Sequence, residues 1–379
     1  MTGREKIEAA FSPDGAPEIA AVIPYEDVYV RDRWDELTGL PWWYAHDPNP
    51  EIQVSWRSKV IDALAQDWFA LPLGASFEEI WDICIEERPD GVFRIDKRTG
   101  TSVKLERPRT GGWNPYGDIE SRSPARLAQN PDEIDSILSP CSVPEVEEIR
   151  WNGRDNLTKA LLEKFGSRLC PVWAVSSPLW NCYGLWGFEG MMLMIAEQPE
   201  IVHYACRRYL EYGIRSIREA ASLGAALIWI EECLTDQISP EAFASLNLPY
   251  LTALVEEARA CGLRSIYYFC GNPTDRWEHI LSVGADALAL EESKKGFTVD
   301  IEKIAEMLRG RCVLLGNLDA IGVLQNGSEE RLIAEIKRQI AAGRTNGNRF
   351  IMSIGSPITP STPVKRVRLY CDLVRELGR

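Results

Sequence analysis

Histidine is scarce in this chain: His46, His203 and His279 are the only three in 379 residues. The ten cysteines fall at no regular spacing and include no Cys-x-x-Cys pair, so neither a zinc ribbon nor a disulfide framework is indicated. Reduced thiols and a cytoplasmic protein are the corresponding expectation. Positive charge is in deficit as well, with 42 Lys and Arg against 56 Asp and Glu and a net charge of -14. Nucleic acid and anionic membrane both need a basic footprint, and neither is expected as a partner. A neutral or cationic ligand, or a protein with a basic rim, is compatible with this surface. No apolar run is long enough to span a bilayer. Residues 1–20 contain Arg4, Glu5, Lys6 and Glu8 without a long apolar core, so no signal peptide is expected. No short-period repeat is visible.

What is present suits a folded chain, with 45% hydrophobic and 26% charged residues. Apolar runs at 19–24 and 67–73 read as two short buried strands. The stretch from 25 to 50 is aromatic and irregular, with Trp34, Trp42, Trp43 and Tyr44, and suits a lid or wall. Residues 92–105 alternate about Arg98-Thr99-Gly100, which signals a solvent-facing hairpin. From Leu169 onward strands and helices alternate: strands at 170–176, 226–230, 264–269, 287–290, 312–316 and 350–354, with helices between them and a last helix at 363–377. With the two early strands this gives about eight, which fits a (β/α)8 barrel spanning 1–379, with 25–150 supplying rim loops and a hairpin insertion. An open sheet carrying two extra strands is the alternative.

In such barrels the site is built where strands end. The strand ends here are Ser176 and Ser177 followed by Trp180 to Tyr183, then Glu231-Glu232-Cys233, Cys270-Gly271-Asn272, Glu291-Glu292, Asn317 and Asp319, and 353–357. Cys270 is a soft ligand or a nucleophile if its pKa is lowered, or else a small buried hydrophobe, and Gly271 would let the backbone turn sharply behind it. Carboxylates emerging from apolar strands are costly unless paired, protonated or bound to a cation. Glu231 and Glu291, the first polar residues after their strands, are therefore the functional candidates. Glu232 and Glu292 serve either as partners or as outward helix caps.

Five segments are similar to the uroporphyrinogen decarboxylase superfamily, which includes zinc-dependent corrinoid methyltransferases. They are Asp236-Gln-Ile-Ser-Pro-Glu-Ala-Phe with Leu248-Pro-Tyr, Phe269-Cys-Gly-Asn, Gly284-Ala-Asp-Ala-Leu-Ala-Leu-Glu-Glu, Leu315-Gly-Asn-Leu-Asp, and Ser353-Ile-Gly-Ser-Pro-Ile-Thr-Pro-Ser-Thr-Pro. The resemblance covers roughly 169–379 and implies a barrel with its site at the C-terminal mouth. The arginine-bearing N-terminal motif of the decarboxylases is absent, and only Arg31 and Arg33 lie near its place. At the methyltransferase zinc positions this chain has Tyr268 for His, keeps Cys270, has Glu291 for the carboxylate and has Ser356 for the last Cys.

The resemblance then implies methyl transfer from a small donor to a corrinoid supplied by a partner protein. Zinc on Cys270, Glu231 and Glu291 would act as Lewis acid, or protonated Glu231 or Tyr268 would assist the leaving group as a proton donor. His203 and His279 fall in expected helices and suit packing, whereas His46 could reach the mouth. An aromatic set of Trp180, Tyr183 and Trp186, with Asn272 and Ser356, is expected to bind the substrate, and Trp173, Trp229 and Tyr267 to fill the barrel core. A methoxylated aromatic is the expected donor and a quaternary ammonium the second. The other readings are a lyase decarboxylating a small acid held by Arg31, Arg33 or Lys294, and a barrel that binds without catalysis. The stretches 34–44 and 111–116 are expected on an open rim that receives the corrinoid protein.

Overall fold

The computed structural model describes residues 1–112, 128–138, 146–293 and 296–379. Lys294 and the part of the expected rim loop from 113 to 116 lie outside the described residues. In chain order the strands are β1 (Ala20–Val22), β2 (Trp68–Ala70), β3 (Ile83–Arg88), β4 (Gly91–Asp96), β5 (Thr101–Leu105), β6 (Cys170–Ser176), β7 (Leu227–Glu231), β8 (Arg264–Phe269), β9 (Ala287–Leu290), β10 (Val313–Leu315) and β11 (Phe350–Ser353). Eight of them form one sheet in the order β1-β11-β10-β9-β8-β7-β6-β2, every adjacent pair parallel. The remaining three form an antiparallel sheet, so the expected hairpin of β4 and β5 is present and gains β3 as a third strand.

The barrel closes where β1 meets β2, and side chains do much of that work. Asp67 donates its backbone N–H to the Ala21 carbonyl at 2.8 Å and accepts the Ala21 N–H on Oδ2 at 2.8 Å. One turn of the ladder higher, Ile23 N–H reaches Gln66 Oε1 at 2.8 Å, and the Trp68 indole N–H reaches the Ile23 carbonyl at 3.2 Å. Lys6, from the N-terminal helix Gly3–Ala10, lies 3.6 Å from Asp67 Oδ2 with both side chains buried. That helix plugs the barrel floor, Ile7 and Ala10 joining the inner cluster.

Alternation sorts the strands into two layers, because successive side chains in a strand point to opposite faces. Leu227 and Trp229, Ile266 and Tyr268, Ala287 and Ala289, and Val313 and Leu315 fill the barrel interior. Ile228, Ile230, Tyr267, Phe269, Leu288 and Leu290 pack outward against the helices. The expectation that Trp173, Trp229 and Tyr267 share the barrel core therefore holds for Trp229 alone. Trp173 is half-buried on the outer side, its indole N–H donated to Ser216 Oγ at 3.0 Å, and Tyr267 is enclosed in the outer layer.

The segment after β1 is more ordered than its composition suggests. It forms helices Glu26–Asp32 and Trp34–Thr38 and a 3-10 turn Trp42–His46. Trp34 is a core residue rather than a rim residue: it is 4% exposed, stacks obliquely on Trp56 at 5.2 Å and donates its indole N–H to the Leu40 carbonyl. Trp42 and Tyr44 pack against the same core from outside. No helix among the described residues is long and apolar enough to cross a membrane.

Removing the Asp67 carboxylate would leave Lys6 buried without its partner and the Ala21 N–H without an acceptor. Asp67→Ala should cost about 3 kcal/mol in urea unfolding. A loss below about 1 kcal/mol would mean that the seam does not depend on this group.

Candidate active site

Continuing the inward parity of β7, β8 and β9 past their last residues brings Glu231, Cys233, Cys270 and Glu291 to one end of the barrel. The floor beneath them is aromatic. Trp229 and Tyr268 stack at 5.2 Å, Trp68 meets Trp229 edge-on at 5.8 Å, and Tyr25 stands edge-on to both Trp229 and Tyr268 at 6.0 and 5.6 Å. Glu231, Cys233 and Cys270 all lie within electrostatic reach of the Tyr25 phenol, and Cys270, Tyr25, Glu291 and Cys233 within reach of that of Tyr268. Burial first, and these neighbours second, push both phenols well above their ordinary range. Tyr25 begins the helix after β1 in a left-handed conformation, φ 56 and ψ 39, which a non-glycine residue adopts at a cost of about 1 kcal/mol.

Glu231, Glu232 and Glu26 are held partly protonated at neutral pH. Burial, and then Asp27, push Glu231 up to about 7. Glu232 follows the opposite parity and is enclosed between sheet and helices. It accepts from Ser177 Oγ at 2.8 Å, Asn247 Nδ2 at 2.6 Å and the Tyr267 hydroxyl at 3.5 Å, yet burial outweighs these bonds and raises it to about 7. Glu26 is raised to about 7 by burial and by Asp27, against the opposing donation of Gln66 Nε2 at 2.8 Å. The Cys233 thiol lies against that of Cys270, and this contact, burial and the nearby carboxylates hold it protonated.

Several expected substrate contacts turn elsewhere. Ser177 and Pro178 are a helix start, so Trp180, Tyr183 and Trp186 sit on the helix Pro178–Glu197 and not in a loop. Trp180 and Tyr183, three residues apart, share a face with rings 5.5 Å apart, and Tyr183 is in electrostatic reach of Glu232, Asp236 and Cys233. Trp186 faces away from them into the core, 1% exposed, its N–H donated to the Ala128 carbonyl at 2.9 Å. Asn272 caps its own turn, accepting the Thr274 N–H at 3.1 Å and hydroxyl at 2.6 Å. Ser356 donates to Glu292 Oε2 at 2.7 Å. The Tyr268 hydroxyl donates to the Gly355 carbonyl at 3.0 Å, tying the end of β8 to the loop after β11, so its proton is already engaged.

The cationic and imidazole candidates are also engaged away from the thiols. Arg31 pairs with Asp32 at 2.7 Å, and Arg33 with Glu36 at 3.3 Å. His46 lines a separate cavity of about 300 Å3 with Arg57, Glu79 and Arg94. His203 hydrogen-bonds Tyr250 at 2.9 Å, and His279 stacks on Phe243. Among the described residues no three His, Cys, Asp or Glu side chains stand close enough together to hold a metal ion. The donors expected for zinc share the mouth but are not drawn into a ligand set.

The description "Uroporphyrinogen decarboxylase (URO-D)" matches residues 156–377, more than half of the chain. The chain belongs to the uroporphyrinogen decarboxylase family. A uroporphyrinogen decarboxylase of Coxiella burnetii is 24% identical over 267 residues, covering 68% of this chain and 69% of its own. One from Gloeobacter violaceus is 22% identical over 300 residues, covering 77% and 80%. Among solved structures, a methyltransferase from Methanosarcina mazei superposes with a TM-score of 0.67 at 18% identity and covers both chains fully, which establishes the barrel fold end to end. Within the family fold, Tyr25 and Cys233 are the mouth residues that sequence reasoning left without a role. Tyr25 directly follows the apolar run 19–24, the signal that singled out Glu231 and Cys270, whereas Cys233 lies two residues beyond β7, behind Glu231 and Glu232.

Gly271 turns the chain behind Cys270 at φ 117, and a Cβ there would overlap the Asp236 carboxyl group, which accepts the Asn272 N–H at 3.0 Å. Gly271→Ala should therefore cost about 2 kcal/mol or more in thermal or urea unfolding, and a neutral effect would contradict this geometry. Glu232 gives a pH test. Below about 4.5 the folded and unfolded chains both keep its proton; between there and about 7 only the folded chain does, so stability falls as pH rises and levels off above about 7. Glu232→Gln should match the wild type near pH 5 and exceed it by about 1–3 kcal/mol at pH 8. A pH-independent difference would contradict the raised carboxyl.

Proposed function

We propose that this protein moves a methyl group from a small donor, a methoxylated aromatic above all, to a corrinoid carried by a separate protein. The observation that carries the reading is Glu231, a carboxylic acid at the barrel mouth raised to about 7 and so able to hold a transferable proton at neutral pH. Cleaving an aryl methyl ether expels a poor leaving group, and a positioned acid assists by protonating the oxygen as the bond breaks. The corrinoid, when bound, supplies the cobalt nucleophile that accepts the methyl group. The electron pair of the carbon–oxygen bond stays on oxygen, which takes the Glu231 proton and leaves as a phenol. Glu231 is then a carboxylate, reprotonated from solvent through its partly exposed side. Tyr25 and the Trp229–Tyr268 stack give a flat donor an apolar floor, with Trp180 and Tyr183 at one side. Among the described residues the zinc donors are not gathered into a ligand set, and the Glu231 proton is the assistance these residues offer the leaving group.

Decarboxylation is the activity named for the curated relatives, and the mouth argues against it here. The carboxyl groups of Glu26, Asp27, Glu231 and Glu291 offer a polyanionic substrate no positive charge, and Arg31 and Arg33 are paired with Asp32 and Glu36. The same lack of a free cation favours a neutral methoxyphenol over a methoxybenzoate.

The test incubates the protein with a methoxyphenol and reduced corrinoid protein, following phenol release and corrinoid absorbance together. The expected rate falls as pH rises through about 7, where Glu231 loses its proton, and Glu231→Gln lowers kcat by about 100-fold or more. The reading gives way to a lyase if methoxyarenes and methylamines are inert while a carboxylic acid releases carbon dioxide.

A further inference from the structure

Among the described residues two pairs of cysteines lie in contact, and they differ in access. Cys182 and Cys206 are 3.7 Å apart, sulfur to sulfur, and wholly enclosed between helices. Cys233 and Cys270 lie against each other at the barrel mouth, and both are partly exposed. The ladder between β7 and β8 pairs Glu231 with Tyr268. Two residues beyond this pair, just past the ends of β7 and β8, stand Cys233 and Cys270, whose side chains are in contact, and adjacent strands run about 5 Å apart. That separation lies inside the range a disulfide spans without moving the backbone, about 4.4–6.8 Å. Inward parity points both side chains the same way, toward the mouth.

We infer that Cys233 and Cys270 form a reversible disulfide that closes the site under oxidising conditions. The oxidant is a low-molecular-weight disulfide, RSSR. The Cys270 sulfur, giving up its proton, attacks one sulfur of RSSR, forming a Cys270–SR mixed disulfide and releasing RS⁻, which takes up that proton. The Cys233 sulfur then attacks Cys270 Sγ as its proton passes to solvent, and the second RS⁻ leaves. The sum is RSSR plus two protein thiols giving one protein disulfide and two RSH, so two electrons pass from the protein to the small disulfide. The bond would fix both sulfurs between Glu231 and the Tyr25 phenol, narrowing the space above the aromatic floor. Nothing in the inference depends on which reaction the site performs.

The full chain, freshly reduced and freed of reductant, is incubated with oxidised glutathione, then alkylated, digested and mapped by mass spectrometry. The expected product is a peptide linking Cys233 to Cys270, with two thiols lost per chain and both regained on adding dithiothreitol. Cys233→Ser abolishes the link and leaves Cys270 as a glutathione adduct, and Cys233→Ala does the same should the serine variant fold poorly. The inference is overturned if the partly exposed Cys261 and Cys312 acquire glutathione while Cys233 and Cys270 stay unlinked, or if the linked pair is Cys182 with Cys206. Methyl transfer, measured in parallel, should fall at least 10-fold on oxidation and recover on reduction. If no methyl transfer is found under any condition, the peptide map alone decides the inference.

Discussion

Strand parity governs what this barrel presents at its mouth. Each inner strand position is occupied up to the level of Trp229 and Tyr268, whose stacked rings, with Trp68 and Tyr25 set edge-on, fill the bore. A filled bore admits no ligand from below, so chemistry is confined to the next inward layer, formed by Glu231, Cys233, Cys270 and Glu291. The same period of two sends Glu232 and Glu292 outward, where Ser177, Asn247 and Ser356 satisfy them. One residue of slip in β7 would exchange Glu231 with Glu232, placing the hydrogen-bonded carboxyl in the site and the reactive one in the core.

Low access to water is the second element, and it follows from the first. Glu231, standing on an aromatic floor, loses hydration, while Arg31 and Arg33 are spent on Asp32 and Glu36. Burial raises Glu231 to about 7, so near neutrality it keeps a share of its proton, which converts a desolvation cost into an available acid. A mouth of this kind departs from what a polycarboxylate substrate requires, although the chain shares its family with decarboxylases.

Most of the barrel was legible because its strands are short apolar runs bounded by polar residues, and β8 and β9 coincide with the limits read from sequence. Glu231, Cys270 and Glu291 were legible for the same reason: each is the first polar residue after such a run. Trp186 was misassigned because the Ser177-Pro178 helix start went unrecognised, and a helix sends its third aromatic to a different face than its first two. Asn272 and Ser356 stand at strand ends, but their side chains are consumed by a turn and by Glu292, a choice that depends on neighbours distant in sequence. Tyr25 stands at the end of an apolar run as Glu231 does, but the left-handed backbone at this residue is one that no local residue preference announces. The pairing of Cys233 with Cys270 required the β7–β8 register, which alternation alone does not supply.

The account rests on Glu231 being a protonated acid at neutral pH, and infrared difference spectroscopy observes that proton directly. A pH titration of the wild type minus that of Glu231→Gln isolates the carboxyl band of this residue. The account predicts that the protonated band persists through pH 6 and disappears around a midpoint of about 7. A band already lost at the ordinary carboxyl value of 4.5 would contradict it.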